Sequence, residues 1–145
     1  MKTKDIYLLI CWDSYESNPY QVKKAFTSKP LLIKYLKHNF DFANTKEVQN
    51  FIDFDDVYQV SENLQYYVET VPFTYDESLL QPNQLIYVLI EDFDDYCNSL
   101  KGFDDEDLCC EYLNKRRVEY MRSEFEISIT DRYSNWRIET GHLYK

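Results

Sequence analysis

The chain has 145 residues, of which 44% are hydrophobic, a size and composition that suit one compact soluble domain. Its 26 acidic residues against 16 basic ones give a net charge of -10, which disfavours direct binding to nucleic acid or to an acidic bilayer. The longest apolar runs, 6–12 and 85–90, fall far short of the roughly 20 residues a spanning helix needs, and the first leads straight into Asp13, Ser14, Tyr15 and Glu16, so neither an anchor nor a signal peptide is expected and a cytoplasmic location is.

From 5 to 13 both faces are apolar, Ile6, Leu8, Ile10 and Trp12 alternating with Tyr7, Leu9 and Cys11, which predicts a buried central strand. A turn over 13–19 leads to a second strand at 20–27 that carries Val22 and Phe26. It returns antiparallel with Lys23 and Lys24 toward solvent. Ser28 is an N-cap with Pro30 behind it, and Leu31, Leu32, Tyr35, Leu36 and Phe40 follow at helical spacing. Lys29, Lys34 and Lys37 make the other face of that helix basic. Asn44 with Glu47 opens a short second helix that turns Val48, Phe51 and Ile52 inward.

Residues 64–73 have strand character, and 84–90 are rich enough in β-formers for another buried strand. Asp104 or Asp105 caps the longest helix, which runs to about Ser123 with Leu108, Cys109, Tyr112, Leu113, Tyr120 and Met121 as apolar positions. Lys115, Arg116, Arg117 and Arg122 crowd its far end, the polarity that the helix dipole favours. Phe125, Ile127 and Ile129 then alternate with polar residues, a turn spans 131–135, and a partner strand at 136–140 closes a hairpin. The sum is an α+β domain: an N-terminal β-hairpin, helices, two further strands, a long helix and a C-terminal β-hairpin. A division into two lobes near 72–82 is the alternative. The recurring Phe-Asp-Asp triplets are too short to establish an architectural repeat.

Neither a catalytic nor a cofactor motif emerges, and no enzyme is expected. Cys11, Cys97, Cys109 and Cys110 include an adjacent pair and no CxxC, so they read as small buried hydrophobes rather than zinc ligands. His38 lies at a helix end and His142 in a loose C-terminal tail. Trp12 and Trp136 fit apolar strand patterns and are assigned to the core.

Charge carries the one chemical message. Residues 1–40 sum to +4, 41–111 to -16 and 112–145 to +2. The densest piece is 91–111, where Glu91, Asp92, Asp94, Asp95, Asp104, Asp105, Glu106, Asp107 and Glu111 face only Lys101; Asp53, Asp55 and Asp56 form a smaller cluster. Each acidic cluster contains Phe followed by two Asp, at Phe54, Phe93 and Phe103. Like charges at this density repel one another unless they stay hydrated or meet cations. A solvated face that confers solubility and caps helices is the plainest account. The functional account is a surface for a basic protein, in particular the nucleic-acid groove of an enzyme. Carboxylates there imitate phosphates spaced about 3.4 Å apart along a strand, and Phe or Tyr adds apolar contact. A metal site is disfavoured because neither acidic stretch has the Gly and Glu positions of a calcium loop.

In size, charge and composition the chain resembles the small acidic proteins that phages and mobile elements use against host nucleic-acid enzymes: anti-restriction, anti-CRISPR and glycosylase-inhibitor proteins. The resemblance implies a noncatalytic inhibitor, and the charge pattern places its partner surface on the acidic residues named above together with Phe93 and Phe103. Such proteins have diverse folds, so no residue roles transfer. An immunity or antitoxin protein against a basic toxin, or a self-assembling accessory protein, are the alternatives.

Overall fold

The computed structural model describes residues 1–78, 80–93, 96–123 and 135–144. In chain order these form β1 (Lys2–Asp13), β2 (Tyr20–Phe26), α1 (Lys29–Asn39), α2 (Thr45–Asp53), β3 (Tyr58–Gln59), β4 (Leu64–Tyr75), β5 (Leu85–Phe93), β6 (Tyr96–Phe103), α3 (Glu106–Ser123) and β7 (Asn135–Tyr144). Hydrogen bonding runs β1-β2-β7-β5-β6-β4 and returns to β1, so six strands close a barrel, with β3 attached outside the circuit to β4. Closure leaves those six strands without a free edge.

The doubly apolar pattern of β1 now has its cause. Ile6, Leu8 and Ile10 line the barrel interior with Tyr20, Val22, Val71, Phe73, Ile86, Val88, Ile90 and Leu143. Leu9, on the outer face, packs with Val68 against Phe26, Leu32 and Leu36 of the α1 side and Val48, Phe51 and Ile52 of α2. A second outer cluster joins Leu89 and Phe103 to Cys109 and Leu113 of α3. The helices form because their caps are local: Ser28 Oγ accepts from Leu31 N, Asn44 Oδ1 from Glu47 N, and Asp105 Oδ1 from Asp107 N. Glu47 reaches back to Ala43 N at 2.6 Å, a capping box displaced by one residue.

The two parts of the chain repeat one ββαβ unit. Ile6-Tyr7-Leu8-Leu9-Ile10 of β1 corresponds to Ile86-Tyr87-Val88-Leu89-Ile90 of β5. Each strand pairs with its hairpin partner in the same register, Tyr7 opposite Phe26 and Tyr87 opposite Phe103, and the register slips at the same place, Leu9/Ile10 and Leu89/Ile90. The extra residues there are Lys23 and Leu100, and the bulge lets the inward set Val22 and Ala25, or Ser99 and Gly102, stay inward across the slip. Thr70 lies opposite Tyr7 on β4 as Thr140 lies opposite Tyr87 on β7. The halves then interlock through two equivalent parallel contacts: Ala25 beside Leu143, and Gly102 beside Phe73. The helices repeat as well. Lys24 sits over Tyr35 at 5.3 Å, with Phe26 5.3 Å from that ring; Lys101 sits over Tyr112 at 5.0 Å, with Phe103 at 5.7 Å.

The first strands, both short helices, the caps and the long helix stand where the sequence places them. Four expectations change or fall outside view. Residues 96–103, expected as part of a polar acidic stretch, form β6. His142, expected in a loose tail, belongs to β7, where its Nδ1 lies 3.3 Å from Asn83 O, because the barrel needs β7 as its sixth stave. The expected strand at 125–129 and most of its turn lie outside the described residues, and the described β7 pairs with β5 and β2. Three contiguous strands from before 72–82, β4-β1-β2, and three from after it, β7-β5-β6, close a single barrel.

Candidate functional site

The parallel pairing of β4 with β6, Thr74 beside Phe103, brings together two turns that the sequence keeps 28 residues apart. Asp104 N donates to Thr74 O at 3.2 Å, and Asp104 Oδ2 accepts from Asp76 N at 2.7 Å. Around this clasp lies a groove of about 470 Å³ lined by Asp76, Asp104, Asp105, Glu106 and Asp107, with Met1, Gln84 and Tyr87. Asp76 accepts from both the N–H and the hydroxyl of Ser78, at 3.0 and 2.7 Å, which holds its carboxyl below the usual range. Glu77 beside it is engaged by Lys2. Among the described residues no lysine or arginine forms an ion pair with Asp104, Asp105, Glu106 or Asp107. The α3 N-terminus offsets part of their mutual repulsion.

The acidic block of 91–111 is therefore not one strip. Along β5, Tyr87 faces the groove end at Phe103, whereas Asp92 faces Cys97 five residues further on, about 17 Å away at strand rise. Asp92 and Phe93 belong to that far end of β5; Asp94 and Asp95 lie outside the described residues. Two expected contact residues are withdrawn into the fold. Glu91 is buried on the outer face of β5 with Arg116 Nη2 3.5 Å from its Oε1, and Phe103 is buried against Tyr112, so neither presents an exposed contact. Glu111 is exposed on α3.

Asp53, Asp55 and Asp56 stand apart, at the C-terminal end of α2. Asp53 pairs with Lys29, Asp56 Oδ1 accepts from Val57 N at 2.8 Å, and Asp55 adopts φ 49°, turning the chain sharply. Carboxylates at a helix C-terminus oppose its dipole, so capping does not explain this cluster as it explains Asp105.

The sequence reading missed two features. Asp76 lies outside every acidic run, and only the β4–β6 pairing recruits it. Inside the barrel, Tyr20 donates to Glu69 Oε2 at 2.6 Å, Ser99 N donates to the same oxygen at 3.1 Å, and the Tyr20 and Ser99 hydroxyls are hydrogen-bonded. Since the Tyr20 proton goes to Glu69, Ser99 donates to Tyr20. Burial and the adjacent carboxylate push the Tyr20 phenol well above its ordinary value. Among the described residues no three His, Cys, Asp or Glu side chains converge to hold a metal ion, and no helix is long and apolar enough to cross a membrane. Comparison of the chain with protein-family models, with curated proteins and with solved structures found no match in any of the three.

Proposed function

We propose that this chain is a noncatalytic binding protein of the cytoplasm, whose acidic groove docks on a basic surface of a nucleic-acid enzyme and so excludes the nucleic acid. The observation that carries this reading is the meeting of five carboxylates from two turns, Asp76 and Asp104 to Asp107, around a groove with Tyr87 in its wall. The clasp between Asp76 and Asp104 fixes the two turns relative to one another and so holds the carboxylates in one array. A basic protein surface supplies the cations such a cluster favours, and phosphate-binding grooves are the densest such surfaces. Association is steered by charge and weakens with salt.

The test uses E106K/D107K, which leaves the Asp105 cap and the Asp104 clasp in place. Tagged wild type and variant are passed through a bacterial lysate at low salt, with and without excess duplex DNA, and captured proteins are identified by mass spectrometry. The expected result is capture of a nucleic-acid enzyme by wild type, competed by DNA, and at least tenfold weaker binding by the variant. Unchanged binding of the variant, or a partner indifferent to DNA, overturns the assignment.

A further inference from the structure

The first half of the repeat carries an open groove. Between α1 and the strands beneath it lies a space of about 690 Å³ bounded by Lys23, Lys24, Tyr35, Tyr58, Val60 and Tyr66. Beside Tyr112, the residue that corresponds to Tyr35, Arg116 reaches across to Glu91. Asn39 and Cys11 occupy the corresponding positions in the first half and cannot form that bridge. Lys23 and Lys24 outnumber the one carboxylate in the lining, Asp41, and Tyr35, Phe40, Tyr58 and Tyr66 supply rings, so the segment that fits the groove is acidic and aromatic.

The chain displays such a segment beside the groove. Phe54 is 75% exposed, with Asp55 and Asp56 after it, and Val57 and Val60 are 44% and 53% exposed. An exposed Phe at the end of a helix, with carboxylates set against the helix dipole, is costly for an isolated molecule. Val60 lines the groove, so the acidic corner and the basic groove are joined by the short segment 55–60, which includes β3. A patch with an acidic side next to a basic side is self-complementary under a two-fold rotation.

We propose that a second copy of this chain is the occupant: Phe54, Asp55 and Asp56 of each protomer enter the Lys23–Lys24–Tyr35 groove of its partner, forming a two-fold dimer. At 0.15 M salt the Debye length is about 8 Å, so repulsion between the two net charges is largely screened while close Lys–Asp pairs persist. The groove of Asp76 and Asp104 to Asp107 lies at the opposite end of β4 from Leu64 and Tyr66, outside this interface, so dimerisation stands or falls independently of the proposed enzyme partner.

Sedimentation velocity from 5 to 200 µM at that salt tests the proposal, with circular dichroism confirming that each variant is folded. Wild type is expected to shift from monomer to dimer with concentration. K23E/K24E and D55K/D56K each lose the dimer by at least tenfold in dissociation constant, and an equimolar mixture of the two regains it, because each variant's corner then meets the opposite charge. K23E alone covers the case in which removing Lys24 from the Tyr35 ring unfolds α1. A wild type that stays monomeric, a dimer that survives both reversals, or a mixture that fails to restore it overturns the proposal.

Discussion

Gly102 and Ala25 hold equivalent places in the two halves, and the residue each faces explains the difference. A Cβ on Gly102 would lie 3.1 Å from Cδ2 of Phe73, which is fully buried, whereas Ala25 faces Leu143. Gly102→Ala is expected to cost about 1–3 kcal/mol by overpacking. Adding Phe73→Leu, which installs the pair used by the other half, should lower the combined cost below the sum of the single costs. Urea unfolding of the four proteins in a double-mutant cycle measures the coupling, and strict additivity would show that the two sites do not meet as described. Tyr20 gives a pH prediction. Its phenol is raised in the folded state, so its contribution is complete below the ordinary value of 10.0 and is lost as pH rises beyond it. Tyr20→Phe should cost about 1–3 kcal/mol at neutral pH by depriving Glu69 and Ser99 of a partner, and yet flatten the fall in stability above pH 10. An unchanged alkaline slope in melting temperature between pH 9 and 11 would contradict this. Cys109, pushed up to about 12 by burial, adds a separate decline that begins near pH 9 and remains in the variant.

At the scale of elements, caps were the most legible part of the sequence, since they act within four residues. Ser28, Asn44 and Asp105 all cap as their spacing implies. Asp105→Ala should therefore destabilise α3 by about 1 kcal/mol, while Asp105→Ser recovers most of it, as thermal unfolding can show. Strand β6 was illegible for a physical reason. Its inward positions are Ser99, committed to Tyr20 and Glu69, and Gly102, required by Phe73, so the apolar alternation that marks a strand is missing. The bulge at Leu100 breaks the period further. The repeat was hidden likewise: Ile-Tyr-Leu-Leu-Ile and Ile-Tyr-Val-Leu-Ile are alike, but Lys29 and Lys34 of α1 correspond to Glu106 and Glu111 of α3, reversing the charge. The Phe-Asp-Asp triplets were a distraction, because Phe103-Asp104-Asp105 corresponds to Phe26-Thr27-Ser28. The acidic site was legible in composition only. Its division between the two ends of the β5–β6 hairpin, and the recruitment of Asp76, depend on a parallel pairing with no local signature.

For the whole molecule, the decisive feature is that neither repeat closes a sheet alone. Each unit supplies three barrel strands whose outer members, β2 and β4 in the first and β6 and β7 in the second, find their remaining partners only in the other unit. If either unit opened by itself, four strands would present unpaired backbone, and the shared interior of Ile6, Leu8, Phe73, Ile86, Val88 and Leu143 would meet water at once. The free energy needed to open one half thus approaches that for opening both. Hydrogen exchange measures this directly. The slowest amides of 6–10 and of 86–90 should exchange with the same free energy, equal to that of global unfolding by urea, and should respond equally to denaturant. Two small lobes hinged near 72–82 would behave otherwise. One set would exchange through a cheaper opening with a smaller denaturant dependence, and the Gly102→Ala variant would loosen the two sets unequally. Equal loosening of β1 by a substitution in β6 is the outcome that interlocking requires, because Gly102 touches Phe73, and β4, which carries Phe73, is paired with β1 along its length.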